Sequence, residues 1–479
     1  MSASLTLPAE AGSAHAGRGV YCNRTLNLRA VRAIGFDMDY TLVHYNVEAW
    51  EQRAYDYLQQ RLAEEGWPVG DLRFSPAFAM RGLIIDTTLG NIVKADRFGY
   101  VKRAYHGTRR LDFEQQRTSY TRQLVDLADR RWLALNTFFS LSEATMYAQL
   151  VDRMDAGHLP HVMAYDALWE RVHAALDATH AEGRLKAEIV QDPTRYVDPD
   201  AEIALALLDL RESGKKLLLI TNSEWPYTRA MMSFCFDRFL PVGTTWRDLF
   251  ELTIVSARKP EFFTSGGPLL SIVSEEGLLE PCVGPPAHRG VYFGGTAPLV
   301  EQYLKLSGAE ILYVGDHVYT DVRVSKDVRR WRTGLIVREL EGEVAAVHAH
   351  RAQQQRLDAL MAEKTAIERE QALLRLSAQR QQRRYAPAPP ISEPESKLAR
   401  LRGQIEKLDA EIGPLAVELG SLYNETWGPI MHAGQDPSFW AGQLENYADI
   451  YTSRVSNFLG VTPFAYLRAP RSSMPHDLE

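Results

Sequence analysis

The sequence predicts an α/β fold: a mostly parallel, doubly wound sheet with a large inserted cap and a C-terminal helical extension. Three observations carry that prediction. Short apolar runs alternate with helical segments, the pattern of strands joined by crossover helices. Polar residues able to do chemistry follow directly on those runs, at the carboxyl ends where open α/β sheets collect their ligands. A long stretch, residues 47–196, interrupts the alternation and reads as a separate lobe.

Taken in order, residues 1–20 are rich in Ala, Ser and Gly and read as a flexible tail. They hold no apolar stretch of the kind a secretory signal needs. Residues 29–37 give the first strand, which runs into Phe36-Asp37-Met38-Asp39-Tyr40-Thr41-Leu42. The insert is mostly helical in pattern. Leu58–Glu65 and Asp112–Leu127 have helix-forming composition, and Ser140–Met154 and Tyr165–Ala181 are apolar-periodic helices. Arg81–Asp86 followed by Gly90–Lys94 reads as a β-hairpin. Alternation resumes at Asp198. Residues 200–213 form an amphipathic helix stopped by Gly214. Lys216–Thr221 has the continuous apolar character of a strand buried on both faces, and Glu251–Ser256, Gly290–Phe293, Ile311–Gly315 and Thr333–Val337 repeat it. The core is therefore discontinuous, residues 21–46 with 197–343, and the cap is 47–196.

Residues 344–383 contain neither Gly nor Pro, and a Pro-rich break follows at Tyr385–Pro390. Leu398, Leu401, Ile405, Leu408, Ile412, Leu415, Leu419 and Leu422 then step alternately by three and four, a heptad seam. Gly413-Pro414 predicts a kink or a fresh helix start. Two helices joined by a Pro-rich linker suggest an antiparallel hairpin. The extension, residues 344–479, is expected to pack on the core or in an oligomer interface, with the aromatic stretch Trp440–Tyr466 on the core.

Composition narrows the class. A chain of 479 residues exceeds one typical domain, and 45% hydrophobic with 24% charged residues is enough to bury a sizeable core. A net charge of −7 gives no electrostatic footprint for nucleic acid or an anionic membrane. Cys22, Cys235 and Cys282 are scattered, which fits a reducing compartment and argues against structural zinc. No apolar run approaches membrane-spanning length. A cytoplasmic protein of several domains is expected.

Four strand ends supply chemistry. Asp37 and Asp39, spaced i and i+2, face one side of an extended chain. Two carboxylates that close call for a cation, and an oxygen-seeking Mg²⁺ suits phosphate chemistry. Thr221-Asn222-Ser223 alone would be an ordinary helix cap, yet it also offers hydroxyl, amide and free N–H groups to phosphate oxygens. Arg258-Lys259-Pro260 alone would be an exposed basic loop. Gly315-Asp316-His317, with Asp321 beyond, offers a further carboxylate. Together they provide what phosphoryl transfer needs. Asp37 is the nucleophile, and Asp39 the proton carrier. Asp37, the backbone carbonyl of Asp39 and Asp316 are the Mg²⁺ ligands. Thr221, Asn222 and Lys259 hold the phosphoryl oxygens, Ser223 joins the same turn, and Asp321 orients the basic or metal-bound groups. His317 is read as structural, because Mg²⁺ prefers oxygen. His44 and Tyr45 are read either as lining the cap entrance or as surface loop.

The segments F-D-M-D-Y-T-L, I-T-N-S, A-R-K-P and Y-V-G-D-H-V-Y-T-D together resemble the four motifs of the haloacid dehalogenase superfamily. More narrowly they resemble its cytosolic purine 5′-nucleotidase family, which includes the IMP/GMP-preferring enzyme. Asn23-Arg24, Arg81-Gly82-Leu83, Gly90-Asn91, Leu135-Asn136-Thr137, Tyr292–Gly295, Trp331-Arg332-Thr333 and Met474-Pro475-His476 extend the likeness over most of residues 20–479. The resemblance implies a Rossmann-like core and a Mg²⁺-dependent nucleoside monophosphate phosphohydrolase, often able to pass its phosphoryl group to another nucleoside. It implies base stacking on Phe139, base-side polar groups at Asp177 and His180, and a phosphate-side lysine at Lys186. His173 and Ala181 depart from the purine-enzyme pattern, where an arginine and an aromatic stand. The resemblance also implies a homo-oligomer.

Three functions follow: a 5′-nucleotidase for purine nucleoside monophosphates, a phosphotransferase or phosphatase of another small ester, and a nucleotide-binding scaffold without catalysis. The full set Asp37, Asp39, Lys259 and Asp316 favours catalysis, since a mere binder has no need of all four.

Overall fold

The computed structural model describes residues 17–387 and 392–470. The expected tail lies outside these up to residue 16, as do Ala388–Pro390 of the Pro-rich break and the Met474–His476 segment. The chain forms two compact units. The larger runs to Glu341 and takes up the chain again at Ile430, and the smaller is Gly342–Pro429.

The larger unit is built on a ten-stranded sheet. Its order is Val20–Cys22, Ile450–Thr452, Arg332–Ile336, Ile311–Gly315, Ala33–Phe36, Lys216–Ile220, Leu252–Val255, Gly290–Gly294, Leu269–Ile272, Leu279–Pro281. The seven strands from Ile450–Thr452 to Gly290–Gly294 pair parallel, and both edges are antiparallel. These central strands are continuous apolar runs because helices cover both faces. Leu218, Ile220, Ile254, Tyr313 and Trp331 lie in one cluster of buried residues. Each such aliphatic side chain contributes about 1.5–3 kcal/mol on burial.

The strand order reverses at Ala33–Phe36. The chain moves from it through Lys216–Ile220 in one direction, while Ile311–Gly315 sits on its other side. That switch point is where an open α/β sheet leaves a crevice. Asp37 and Asp316 are the residues that follow these two adjacent strands.

The insert differs in composition from its expected helical character. Besides helices Val47–Glu64, Leu141–Asp155 and Tyr165–Ala181, it holds a five-stranded antiparallel sheet. The hairpin Ile84–Asp86 with Asn91–Ala95 is extended by Val101–His106, Arg109–Arg110 and Trp132–Ala134. The expected helix over 112–127 is confined to Phe113–Tyr120, where Asp112 and Gln115 form a capping box. Ile84, Val93, Ala104, Tyr120 and Trp132 close the small core of this sheet.

The aromatic stretch contributes the Ile450–Thr452 strand, and Trp440 and Phe458 are buried. In the smaller unit, helices Arg351–Arg383 and Pro394–Gly420 pack as a hairpin through Leu357, Leu360, Leu408, Ile412 and Leu419. The second helix runs through Pro414 without a break. Pro414 is exposed, and seam packing on the opposite face outweighs its lost backbone bond. Among the described residues no helix is long and apolar enough to cross a membrane, and all three cysteines are free.

Candidate active site

A cleft of about 360 Å³ opens at the carboxyl ends of the central strands. Asp37, Asp39, Asn222, Ser223, Lys259, Asp316, His317 and Asp321 line it from the core, and Trp50, Phe139, His180 and Lys186 from the insert. A larger hollow of about 580 Å³ lies within the insert, around Asn91, His106, Glu114 and Tyr165. No aspartate or lysine lines it, so size alone does not make it the reaction site.

Lys259 organises the floor. Its Nζ lies 2.8 Å from Asp37 Oδ1 and 2.7 Å from Asp321 Oδ1, and it donates to Tyr313 Oη at 3.0 Å. Tyr313 in turn donates to the Ile220 carbonyl at 2.9 Å. The ammonium is buried, and its two carboxylate neighbours hold its pKa well above the ordinary range against the opposing effect of burial. Asn222 fixes the backbone at this point: Oδ1 accepts Lys259 N–H at 2.7 Å, and Nδ2 donates to the Lys259 carbonyl at 3.1 Å.

Asp37 Oδ1 also accepts the Met38 N–H at 2.7 Å. Burial pushes the Asp37 carboxyl up to about 7; Lys259 opposes this, while Asp321 and Asp39 add to it. Asp316 is pushed up as well, by burial first, with the Arg81 guanidinium opposing. Two of the buried carboxyls are therefore poorly solvated, and a cation would relieve both.

Asp37, Asp316 and Asp321 offer oxygens within 4.8 Å of one another, the cluster of metal-ligating type found among the described residues. Asp316 Oδ2 is buried with no hydrogen-bond partner. Asp321 is already engaged, its Oδ1 by Lys259 and its Oδ2 by the His317 N–H at 3.2 Å. Hard oxygen donors with one buried oxygen to spare fit Mg²⁺. The Asp39 side chain is not among the three. Its Oδ1 accepts Tyr45 Oη at 2.5 Å and its Oδ2 accepts Ser223 Oγ at 2.7 Å. Its carboxylate is spoken for by two hydroxyls, which leaves the main-chain carbonyl as the ligand atom anticipated for Asp39.

The other anticipated residues divide. Thr221 is fully buried, with its hydroxyl accepting Ser223 N–H at 3.0 Å, and does not line the cleft. Lys186 Nζ reaches Ser223 Oγ at 3.4 Å and lies 5.0 Å from the Tyr227 ring centroid. Phe139 packs beside Trp50 and Tyr40, with centroids 5.1 and 4.9 Å away. His180 lines the cleft, and burial lowers its pKa. Asp177 does not line it; its exposed carboxylate lies 3.6 Å from His173 Nε2, and His173 Nδ1 is 2.8 Å from Glu143. The His317 ring caps the helical turn after it, Nδ1 accepting from Tyr319 N and Thr320 N, and burial lowers its pKa to about 4.

Trp50, Tyr227, Tyr313 and the Arg81–Glu339 pair are not singled out by the sequence. Tyr313 sits inside an apolar strand run, and Arg81 and Glu339 meet across 258 residues and Tyr227 and Tyr45 across 182, so no local pattern marks them.

Comparison with known proteins places these features in context. A family model described as the 5′ nucleotidase family matches residues 20–479. A 5′-nucleotidase domain-containing protein of Dictyostelium discoideum is 26% identical over 486 aligned residues, covering 96% of this chain and 75% of that one. The Homo sapiens 5′-nucleotidase domain-containing protein 2 is 27% identical over 484, covering 95% and 84%. Among solved structures, an archaeal β-phosphoglucomutase from Pyrococcus sp. strain ST 04 overlaps 64% of this chain and 86% of its own at 10% identity. Its TM-score is 0.30, an overlap that identifies nothing by itself.

Proposed function

The chain belongs to the 5′-nucleotidase family of phosphoric monoester hydrolases, and we propose that it hydrolyses purine nucleoside monophosphates with Mg²⁺ bound by Asp37 and Asp316. The observation that carries this reading is the buried Asp37–Lys259–Asp321 chain at the switch point of the sheet, in one cleft with Asp39 and two aromatic rings.

In the reaction so read, Asp37 attacks phosphorus and the bond from phosphorus to the ribose oxygen breaks, giving an aspartyl-phosphate. Asp39 delivers its proton to the departing alkoxide. Asp39 then takes a proton from water as that water attacks the intermediate, which releases phosphate, restores the Asp37 carboxylate and returns Asp39 to its protonated form. Asp37 Oδ1 is fixed by Met38 N–H and Lys259, while Oδ2 receives no hydrogen bond from the described residues; Oδ2 is the attacking atom. Lys259 and the Ser223 turn neutralise and orient the phosphoryl oxygens. Mg²⁺ held by Asp37 and Asp316 would supply charge neutralisation to the phosphoryl group.

The half-buried Phe139 ring, backed by Trp50, receives the base, and Lys186 and His180 stand on the insert side of the same cleft. A flat two-ring base gives the larger stacking area, which favours purines. The free cysteines agree with a cytoplasmic location.

Phosphate release from a panel of nucleoside monophosphates, with Mg²⁺ and with chelator, tests the proposal. Release from IMP or GMP that vanishes in chelator and in Asp37→Asn is expected. Release that persists in chelator refutes the metal assignment. Release only from another ester moves the substrate, and nucleotide binding without any release replaces catalysis by a binding role.

A further inference from the structure

Arg81 belongs to the insert, yet its side chain is wholly buried against the core. Its guanidinium makes a two-pronged pair with Glu339, Nε to Oε1 at 2.7 Å and Nη2 to Oε2. Nη1 donates to the main-chain carbonyl of Asp316 at 3.0 Å and lies 3.7 Å from Asp316 Oδ2. The guanidinium sits 4.1 Å from the Phe138 ring centroid, with the Trp440 ring 5.7 Å away. Gly82 follows with φ of +84°, and a Cβ there would stand 2.9 Å from Trp440 Cβ. Only glycine lets the backbone press this close, so Arg81 enters the core at a fixed point.

We propose that Arg81 is a positioning residue for Asp316, through which divalent-cation binding in the core depends on the seating of the insert. The inference rests on the Mg²⁺ reading above. Two physical effects support it. A charged donor on the Asp316 carbonyl fixes the peptide from which the Asp316 carboxylate springs. The charges also favour a cation: Asp37, Asp39, Asp316, Asp321 and Glu339 surround Lys259 and Arg81, so carboxylates outnumber cations with or without a proton on Asp39, an excess that a divalent cation reduces. Glu339 thus lets Arg81 hold Asp316 without taking the cation's place.

An ion pair with a purely structural role would change unfolding and leave cation affinity alone. The test is calorimetric titration of Mg²⁺ into the full chain, Arg81→Lys and Glu339→Gln, with thermal unfolding measured in chelator. Lysine keeps the charge but cannot serve two Glu339 oxygens and the Asp316 carbonyl together. The Mg²⁺ dissociation constant should rise roughly ten- to hundred-fold in Arg81→Lys, with kcat recovering at saturating Mg²⁺. Glu339→Gln, which leaves Arg81 less neutralised beside Asp316, should also weaken Mg²⁺. A folded Arg81→Lys whose affinity stays within about two-fold of the parent overturns the inference. Should Arg81→Lys fail to fold, unchanged affinity in Glu339→Gln overturns it instead. A parent chain that takes up no Mg²⁺ removes the metal reading and this inference together, whereas parent binding with unchanged variants removes the inference alone.

Discussion

Glu51 is expected to weaken the fold as pH rises, and Glu51→Gln to remove that weakness. Glu51 lies in the Val47–Glu64 helix, fully buried next to Trp50. Its Oε2 accepts Ser142 N–H at 2.7 Å at the start of the Leu141–Asp155 helix, and its Oε1 has no partner. The helix terminus favours a negative charge, but burial prevails and Glu143 adds repulsion, so the carboxyl is pushed from 4.5 up to about 8. The folded pKa is the higher one. Below pH 4.5 both states hold the proton and the residue is neutral in each. Between 4.5 and about 8 the unfolded chain ionises while the folded one does not, so stability falls as pH rises and levels off above the folded pKa. At about 1.4 kcal/mol per pKa unit the loss amounts to between about 3 and 5 kcal/mol. Denaturant midpoints of parent and Glu51→Gln from pH 5 to 8.5 measure it, in chelator. Asp37 and Asp316 titrate in both proteins, so the difference between the two curves isolates Glu51. The advantage of the variant should grow steadily with pH. A pH-independent difference would refute the reasoning and mean that Glu51 is ionised in the folded chain.

Lys259→Met leaves Asp37 and Asp321 buried without the cation between them. Phosphate release should fall by at least about a hundredfold, and the unfolding free energy by about 3–5 kcal/mol at pH 7; retained turnover would deny Lys259 its place on the phosphoryl oxygens. Phe139→Ala should raise KM for a purine nucleotide several-fold, for a stacking loss of about 0.5–1.5 kcal/mol, and leave kcat nearly unchanged. Steady-state phosphate release checks it, and an unchanged KM would move the base elsewhere in the cleft.

The central sheet was legible because burial on both faces leaves an uninterrupted apolar run. Ile311–Gly315 coincides with its strand for this reason. The sheet of the insert was not. Val101–His106 mixes Lys, Arg and His with apolar residues and buries only Ala104, and Arg109–Arg110 is exposed, so neither shows a continuous apolar face in its sequence. Asp112–Leu127 looked helical throughout because composition reports propensity, not where tertiary packing stops a helix. At the site, the polar residues after strands announce themselves, as Asp37, Asn222, Lys259 and Asp316 do. What they touch does not. The Thr221 hydroxyl, read as a phosphate-binding group, accepts the Ser223 N–H instead, while Ser223 meets Asp39. Tyr45 and Tyr227 meet across 182 residues, and Arg81 reaches Glu339 across 258. Such pairings exist only once the insert has closed on the core.

The strand bearing Asp37 lies between partners encoded much later, at Lys216–Ile220 and Ile311–Gly315, and the Val20–Cys22 edge pairs with Ile450–Thr452. A ribosome adding about 5–20 residues per second takes on the order of ten seconds or more to travel from Phe36 to Ile220, and longer to Gly315. Through that interval Ala33–Phe36 is an apolar strand with both edges bare, open to foreign strands. A chain interrupted there lacks Asp316 beside Asp37 and is prone to aggregate. Asp37 is made well before the strands that come to flank it, and the cell bears the risk of the wait.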